Sequence, residues 1–303
     1  MERDNMQSYN IISLDNSFID PAAQKRARDL RAAFNSGEDI SERLSIELSK
    51  YKFYHDIEII AGIRTPGYPW APAYQDAFAR AVSSMDFDGK RIIDIGCRDG
   101  AMLLHAEERG ARELVAVDND PSTGLANFLV PFKGSKISCY GGNLYDITPN
   151  EVGKFDIVIC CGVLYHLRFP MLGIKKLADI LTDDGILILE TGILDAFGDF
   201  PMLFYPWMEE SPYDGSSPTF YNLAGLRNAF IQASLTSPIT RERFGPIQFE
   251  PRKHFPVFAQ EQAASSMTIT RTIVTANKAK PVLKFLEDYF EGRHSCHTTG
   301  VLS

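Results

Sequence analysis

Two acidic residues each end an apolar, strand-like run and are followed by residues that favour a tight turn. Asp94 lies within "RIIDIGCRDG", and Asp118 ends "ELVAVD". In an open α/β sheet, ligands bind beyond the carboxyl ends of the strands. Gly96 and Gly100 let the backbone approach a ligand closely, and an acid at the end of the second strand is placed to accept hydrogen bonds from both ribose hydroxyls. The pattern predicts a nucleoside site.

The order of acid and glycine in this loop discriminates between nucleoside cofactors. A dinucleotide fingerprint is Gly-x-Gly-x-x-Gly directly after the strand, because the pyrophosphate lies on the helix amino terminus. Here the pattern is Asp94-x-Gly96-x-Arg98-x-Gly100. An acid at its start repels a pyrophosphate but suits a cationic ligand with an α-amino group and a sulfonium, which S-adenosylmethionine carries. Two simpler interpretations stay open: Asp94 as a helix cap and Asp118 as a turn residue.

The strand-like runs that carry these acids belong to a regular series. Five short apolar runs rich in β-branched residues alternate with helix-length segments, which is typical of a parallel sheet flanked by helices. They are RIIDIG (91–96), ELVAVD (113–118), KISCYG (136–141), FDIVICC (155–161) and GILILET (185–191). Two later runs, 238–244 and 267–276, predict a hairpin that closes the sheet with one antiparallel strand. The predicted fold is α/β, a doubly wound Rossmann-like, mostly parallel sheet with an antiparallel edge strand.

The remaining segments predict additions around this sheet. We expect a helical N-terminal extension over residues 1–50 and an aromatic cap over 51–85, a stretch dense in aromatic residues, Gly and Pro. The sheet itself falls within a cofactor-binding domain over 86–280. This domain contains a lid insertion, 193–223, that is too long for a simple connection between elements. Residues 281–303 form a C-terminal tail.

Composition narrows the function classes. The 303 residues are 45% hydrophobic, enough for a full core, and the net charge of −8 argues against a large nucleic-acid footprint. No run of roughly 18 apolar residues occurs, and the first ten residues lack a signal-peptide layout, so we expect no membrane association and a cytoplasmic protein. The five cysteines form no CxxC pair and are expected to be reduced. The cluster "HSCH" (294–297) has no second ligand pair, so no metal is predicted.

Taken in order, several motifs resemble those of class I S-adenosylmethionine-dependent methyltransferases. They are "DIGCRDG", "VAVDND", "FDIVICCGVLYHLRFP" and "LTDDGILILET". The phrase "GVLYHL", with "FYHDIEI", "TPG" and "TFYNLAGLRNAF", further resembles the branch that contains the tRNA wobble-uridine carboxymethyl transferases and many small-molecule methyltransferases. The resemblance covers about residues 51–277. It implies S-adenosylmethionine as cofactor and S-adenosylhomocysteine (SAH) as product.

The resemblance also implies roles for individual residues of the cofactor site. Those implied to contact the methionine part are Asp94, Gly96, Gly100, Cys161 and Gly162. Asp118 is implied to contact the ribose, and Asn143 with Leu144 the adenine. Cys97 and Asn119 are further candidate cofactor-binding residues. Arg98 replaces the usual glycine of the loop. It therefore either avoids a positive φ or adopts one under strain, with its side chain expected to point towards solvent.

Candidate catalytic and acceptor-binding residues follow from chemistry near these positions. Methyl transfer depends mainly on alignment, and an oxygen or protonated nitrogen acceptor also needs a base, whereas a thioether needs none. The candidate catalytic residues are His166, Tyr165 and His55. The candidate acceptor-binding residues are Tyr54, Trp70, Tyr205, Trp207, Glu209 and Tyr213. Aromatic rings beside carboxylates indicate an amine-bearing or amino-acid acceptor, while the alternative is a solvated acidic loop whose aromatics pack on the sheet.

The sequence thus predicts a methyltransferase that acts on a small molecule. Plain methyl transfer is favoured over carboxymethyl transfer, because Tyr68 and Trp70 stand where the carboxymethyl branch shows a lysine and the closing strand lacks that branch's arginine-rich ending. A tRNA-modifying enzyme and a non-catalytic scaffold remain the alternatives. The oligomeric state stays open, a homodimer included.

Overall fold

The computed structural model describes residues 14–206, 211–213, 215–249 and 267–280. Its helices are α1 (Pro21–Asn35), α2 (Ser41–Leu48), α3 (Ala71–Ala81), α4 (Ala101–Glu108), α5 (Val130–Lys133), α6 (Pro149–Val152), α7 (Pro170–Asp179) and α8 (Leu223–Gln232). Its strands are β1 (Glu58–Ile60), β2 (Ile63–Arg64), β3 (Arg91–Ile95), β4 (Glu113–Asp118), β5 (Ile137–Gly141), β6 (Phe155–Cys161), β7 (Leu181–Leu194), β8 (Leu203–Phe204), β9 (Phe220–Tyr221), β10 (Ile239–Phe249) and β11 (Met267–Asn277). A π-helical turn, Leu125–Leu129, precedes α5.

The central sheet has the strand order β10-β11-β7-β6-β3-β4-β5. The pairs from β5 to β7 are parallel, whereas β11 runs antiparallel to β7 and β10 antiparallel to β11. The predicted α/β fold, mostly parallel with an antiparallel edge, is confirmed. Connections run from β3 outwards to β5 and then back past β3 to β6. The order in which strands are added to the sheet therefore reverses between β3 and β6, and an open α/β sheet forms its ligand-binding crevice at such a point.

Apolar side chains cover both faces of this sheet. Neighbouring residues of β3 alternate between them: Ile92 packs into the cluster on one face and Ile93 into the cluster on the other. The first cluster includes side chains of α1 to α4, and the second includes side chains of α7 and α8. Because helices cover both faces, the carboxyl ends of the parallel strands are left as the place for a ligand.

The described part of the predicted N-terminal extension joins the same core. Leu30 of α1 and Leu44 of α2 are buried in the first apolar cluster. Ahead of α1, Asp15 forms two backbone hydrogen bonds with Gly141 and so extends the sheet beside the end of β5. Leu14 lies so close to Gly142 that a β-carbon there would stand 2.3 Å from its Cδ2 atom. Residues 14–15 therefore buttress the turn that follows β5.

Among the residues that the structure describes, no helix combines the length and apolar character needed to cross a membrane. The tail over 281–303, with its "HSCH" cluster, lies outside the described residues. The division into four segments stays a prediction.

Candidate functional site

Asp94 is buried near the carboxyl end of β3, and one of its carboxylate oxygens lacks a hydrogen-bond partner. The residue is 2% exposed, and its Oδ2 atom is the one without a partner in the described chain. Burial, together with repulsion from Asp118, raises the pKa of Asp94 well above its ordinary value. A cationic ligand group beside this carboxyl would favour its charged form, so the position fits the predicted cationic cofactor.

Asp118 ends the neighbouring strand β4 and is held by backbone amides. Its Oδ2 atom accepts a hydrogen bond from the N–H of Arg98 at 2.9 Å, and its Oδ1 atom accepts one from the N–H of Asp120 at 2.9 Å. Burial raises the pKa of Asp118, although these two hydrogen bonds act in the opposite direction. Each carboxylate oxygen still has a further lone pair, so the amides fix the carboxylate while it can accept ribose hydroxyls.

The loop between β3 and α4 contains three residues with positive φ, at every second position. Gly96 has φ +78°, and a β-carbon there would lie 2.2 Å from the Cγ2 atom of Val163. Gly100 has φ +70° and begins α4. Arg98 has φ +45°, so it adopts the strained alternative of the two that its sequence allowed. Its guanidinium forms an ion pair with Asp120 at 2.8 Å.

This loop borders a cavity of about 620 Å³, a size that holds a nucleoside cofactor with room for a second group. The predicted cofactor residues that line it are Asp94, Gly96, Cys97, Asp118, Asn119, Asn143, Leu144, Cys161 and Gly162. Gly100 is not part of the lining and instead starts α4. The unsatisfied Asp94 oxygen and the clustering of these residues around one space fit S-adenosylmethionine. Within the described residues, no group of three or more His, Cys, Asp or Glu side chains is arranged to hold a metal ion.

A buried ion pair beside the cavity was missed by sequence reasoning. Glu190, on β7, is fully buried and binds the guanidinium of Arg271, on β11, through two hydrogen bonds of 2.6 and 2.5 Å. Burial disfavours the charged guanidinium, but Glu190 outweighs this and raises the pKa of Arg271 well above its ordinary value. Arg271 lines the cavity and also packs over the rings of Tyr74 and Tyr165, at 5.1 and 5.5 Å. The closing strand therefore does bring one arginine to the site.

His166 lies exposed at the rim of the cavity in a defined orientation. Its Nδ1 atom is 2.9 Å from the backbone oxygen of Ser216, with the hydroxyls of Ser216 and Ser217 at 3.2 and 3.4 Å. A carbonyl oxygen can only accept, so Nδ1 must carry the proton. In the neutral ring this leaves Nε2 as an acceptor, which is the state that a general base requires.

The other two candidate catalytic residues occupy different environments. His55 lines the cavity but is buried, and its Nδ1 atom lies 3.7 Å from Asp99 with no hydrogen-bond partner in the described chain. Tyr165 is 4% exposed and is absent from the cavity lining. Its ring packs against Tyr213 and Phe220, and burial raises its pKa. Tyr165 thus packs against Arg271, and its hydroxyl lies 3.5 Å from the place of a β-carbon on Gly162, so its catalytic role stays a prediction.

The candidate acceptor residues do not form one surface. Tyr54 lines the cavity, and Trp70 packs on it at 4.7 Å but is 45% exposed and outside the lining. Tyr205 is 52% exposed and also outside the lining, while Tyr213 packs against Tyr165. The remaining two candidates, Trp207 and Glu209, lie outside the described residues. Of the four candidates that the structure describes, Tyr54 is the one that lines the cavity.

Comparison with known proteins yields three similarities. Residues 68–236 match a family model described as a methyltransferase domain. The tRNA U34 carboxymethyltransferase of Helicobacter acinonychis (strain Sheeba) is 34% identical over 206 residues, which is 66% of this chain and 72% of that protein. The protein of the same name from Campylobacter hominis is 32% identical over 127 residues, and the chain spans 42% of its length.

A further similarity, to a solved structure, concerns the fold alone. A crystal structure of the N-terminal domain of EvdMO1, in the presence of SAH and D-fucose, has a TM-score of 0.52 and 17% sequence identity. The similarity covers 88% of this chain and 100% of that one.

Proposed function

Because this chain belongs to the class I S-adenosylmethionine-dependent methyltransferases, we propose that it methylates an oxygen or nitrogen atom of a small-molecule acceptor, with His166 as the general base. The main observation behind this proposal is the orientation of His166 at the rim of the cofactor cavity, where the Ser216 carbonyl contacts Nδ1 and leaves Nε2 as the acceptor of the neutral ring. An amine-bearing acceptor remains the preferred class on the sequence argument, because the lid segment carries aromatic and acidic residues.

The cofactor is S-adenosylmethionine, which supplies an electrophilic methyl group on a sulfonium. On the protein side, Asp94 offers its unsatisfied carboxylate to the cationic methionyl part, and Asp118 offers lone pairs to the ribose hydroxyls. Cys161 is buried and lines the cavity together with Gly162, so this part of the wall would face the reacting groups. Holding donor and acceptor in line in the cavity can supply much of the rate enhancement.

His166 completes this arrangement by removing a proton from the acceptor. The backbone carbonyl of Ser216 holds the imidazole through Nδ1–H, so the ring points its basic nitrogen away from that contact. A hydroxyl or an ammonium group must lose its proton for the transfer to proceed, whereas a thioether would not use this residue. The position of His166 therefore favours an oxygen or nitrogen acceptor.

The test has two stages. First, radiolabelled methyl transfer from S-adenosylmethionine is measured over a panel of amines and amino acids, extended to hydroxylated metabolites. Then His166→Gln is compared with the parent on the acceptor found, and kcat is expected to fall roughly 100- to 10,000-fold. Ser216→Ala is the matched control, because it removes one hydroxyl and keeps the carbonyl. Unchanged turnover in His166→Gln would show that no base acts at this position.

Carboxymethyl transfer to the wobble uridine of tRNA is the second candidate. Two relatives carry the name tRNA U34 carboxymethyltransferase, and Arg271 provides a cation within the cavity, as an additional carboxylate on the cofactor would require. Against it stand the net charge of −8 and the existing ion pair between Arg271 and Glu190. The chain also spans less than half of one of these relatives.

A direct competition separates the two candidates. The protein is incubated with unmodified tRNA and an equimolar mixture of S-adenosylmethionine and its carboxylated derivative, and the nucleosides are analysed by mass spectrometry. Our proposal predicts no modified uridine with either donor. A carboxymethyl mass on the wobble uridine would establish the second candidate instead. A cytoplasmic location is part of both proposals.

A further inference from the structure

The buried carboxylate of Asp99 lies in the loop between β3 and α4, here called the cofactor loop, and connects three segments that surround the cavity. Asp99 is 1% exposed and directly precedes Gly100. Its Oδ2 atom accepts hydrogen bonds from the backbone N–H groups of Tyr54 and His55, the latter at 2.8 Å. Its Oδ1 atom accepts a hydrogen bond from the hydroxyl of Ser122 at 2.7 Å. Burial acts to raise the pKa of Asp99, but the hydrogen bonds from His55 and Ser122 outweigh it and lower that pKa below its ordinary value.

The part of the aromatic cap that Asp99 holds is bonded internally as a unit. The Thr65 hydroxyl donates to the carbonyl of His55 at 2.6 Å and accepts from the N–H of Ile57 at 2.8 Å. Gly67 packs so closely on this turn that a β-carbon would lie 2.3 Å from the His55 oxygen. The Tyr54 ring packs edge-on against Trp70 at 4.7 Å. A displacement at Tyr54 or His55 would therefore move this whole turn of the cap.

Both residues that Asp99 holds also face the cavity. Tyr54 and His55 line it together with Arg98, the residue before Asp99 in the cofactor loop. The guanidinium of Arg98 lies 6.0 Å from the centroid of the Tyr54 ring. Asp99 is thus the hydrogen-bonded connection between the loop at the cofactor and the wall formed by the cap.

We propose that Asp99 is a positioning residue that fixes Tyr54 and His55 as one wall of the cavity and couples this wall to occupancy of the cofactor site. Assignment of that wall to the acceptor rests on the proposed function, whereas its attachment to the cofactor loop does not. Removing the carboxylate would leave two backbone N–H groups without their acceptor, and such unsatisfied groups favour local opening.

Hydrogen exchange measured by mass spectrometry tests the attachment without any acceptor. The readout is a peptide that contains Tyr54 and His55, with a peptide from β3 as internal reference. Asp99→Ala is expected to raise exchange in the cap peptide by roughly 10- to 100-fold, with the β3 peptide unchanged. Asp99→Asn, which retains an oxygen acceptor and can donate to Ser122, is expected to restore protection. Ser122→Ala is the matched control, because it leaves both cap amides bonded to the carboxylate and removes the hydrogen bond from Ser122 to Asp99, together with the one that the Leu125 N–H donates to the Ser122 hydroxyl.

The coupling is tested by adding SAH at saturating concentration. The parent is expected to gain protection in the cap peptide, and Asp99→Ala to bind SAH by calorimetry without that gain. Equal protection by SAH in both proteins would overturn the coupling, as would an Asp99→Ala cap that exchanges like the parent's. Should Asp99→Ala fail to fold, the parent alone decides: unprotected amides at Tyr54 and His55 would refute the attachment. Failure of the parent to bind SAH would instead refute the cofactor assignment.

Discussion

Replacing Asp94 by Asn should stabilise the free protein and weaken cofactor binding at the same time. In the free protein Asp94 is buried, its Oδ2 atom lacks a partner in the described chain, and its pKa is raised by burial and by Asp118. Each unit of raised pKa corresponds to about 1.4 kcal/mol against the charged form. Asn is nearly isosteric and carries no charge, so the variant avoids this penalty.

The sign of the pH dependence follows from the direction of the pKa shift. An Asp in the unfolded chain titrates near about 3.9, and the folded value is higher. Between those two values the folded protein retains a proton that the unfolded chain has released, so stability falls as the pH rises through this window. The loss is complete above the folded pKa. The stability advantage of Asp94→Asn should therefore grow across the same window, with Tm rising about 2–4 °C for each kcal/mol gained.

Cofactor binding should show the opposite preference. A cationic methionyl group favours the Asp94 carboxylate, so binding of S-adenosylmethionine should release a proton whenever the free carboxyl is protonated. Below the folded pKa, the association constant is then expected to rise about tenfold per pH unit. In Asp94→Asn this slope should vanish, and affinity at neutral pH should fall.

Calorimetric titration with S-adenosylmethionine, in buffers of different ionisation enthalpy, measures how many protons binding releases. Thermal unfolding of the free proteins measures the change in stability. Asp118→Asn is the comparison variant: each Asp118 oxygen accepts a backbone hydrogen bond and Asn keeps only one oxygen, so Asp118→Asn should have a lower Tm than Asp94→Asn. A lower Tm for free Asp94→Asn, or binding by the parent without proton release at any pH, would show that the buried acid is not held for a cation.

Two further predictions concern the walls of the same site. Glu190→Gln leaves the charge of the buried Arg271 guanidinium without its partner, so the free energy of unfolding in urea titrations is expected to fall by about 3–5 kcal/mol. Combining Glu190→Gln with Arg271→Met should recover much of this loss. Equal losses in the single and the double variant would contradict the ion-pair argument. Gly96→Ala places a side chain at φ +78° and against Val163, so it should lose about 1–2 kcal/mol from the backbone alone and weaken SAH binding, with only partial rescue by Val163→Ala. Full rescue would mean that the backbone conformation carries no penalty.

The sequence was sufficient for the parallel strands and for the acids that end them, because both depend on local pattern. Alternating Ile92 and Ile93 of β3 bury on opposite faces, and Asp94 and Asp118 then fall at the edge where the strands end. The alternation of buried side chains along a strand, and the position where the strand ends, can be predicted without knowing which distant residues it contacts.

Contacts between distant strands were not accessible in this way. Arg271 lies opposite Gly192 in the register of β11 and β7, and Ile273 lies opposite Glu190, so the ion pair is a diagonal contact on one face of the sheet. The register of two strands some 80 residues apart cannot be derived from either strand alone. A charged residue within each apolar strand was the available signal. The packing of Tyr165 against Arg271 was inaccessible for a related reason, since it too joins residues that are distant in sequence.

The buried acids, considered together, explain why Asp94 stands out. Among the described residues the buried acids are Glu47, Asp94, Asp99, Asp118 and Glu190. Glu47 binds Lys50, Glu190 binds Arg271, and Asp99 and Asp118 each accept backbone N–H groups. Asp94 alone in this set has a buried oxygen with no partner. The fold supplies partners for four buried acids but not for the fifth, which lines the cavity, and this difference supports our proposal that Asp94 receives a cationic group of the cofactor.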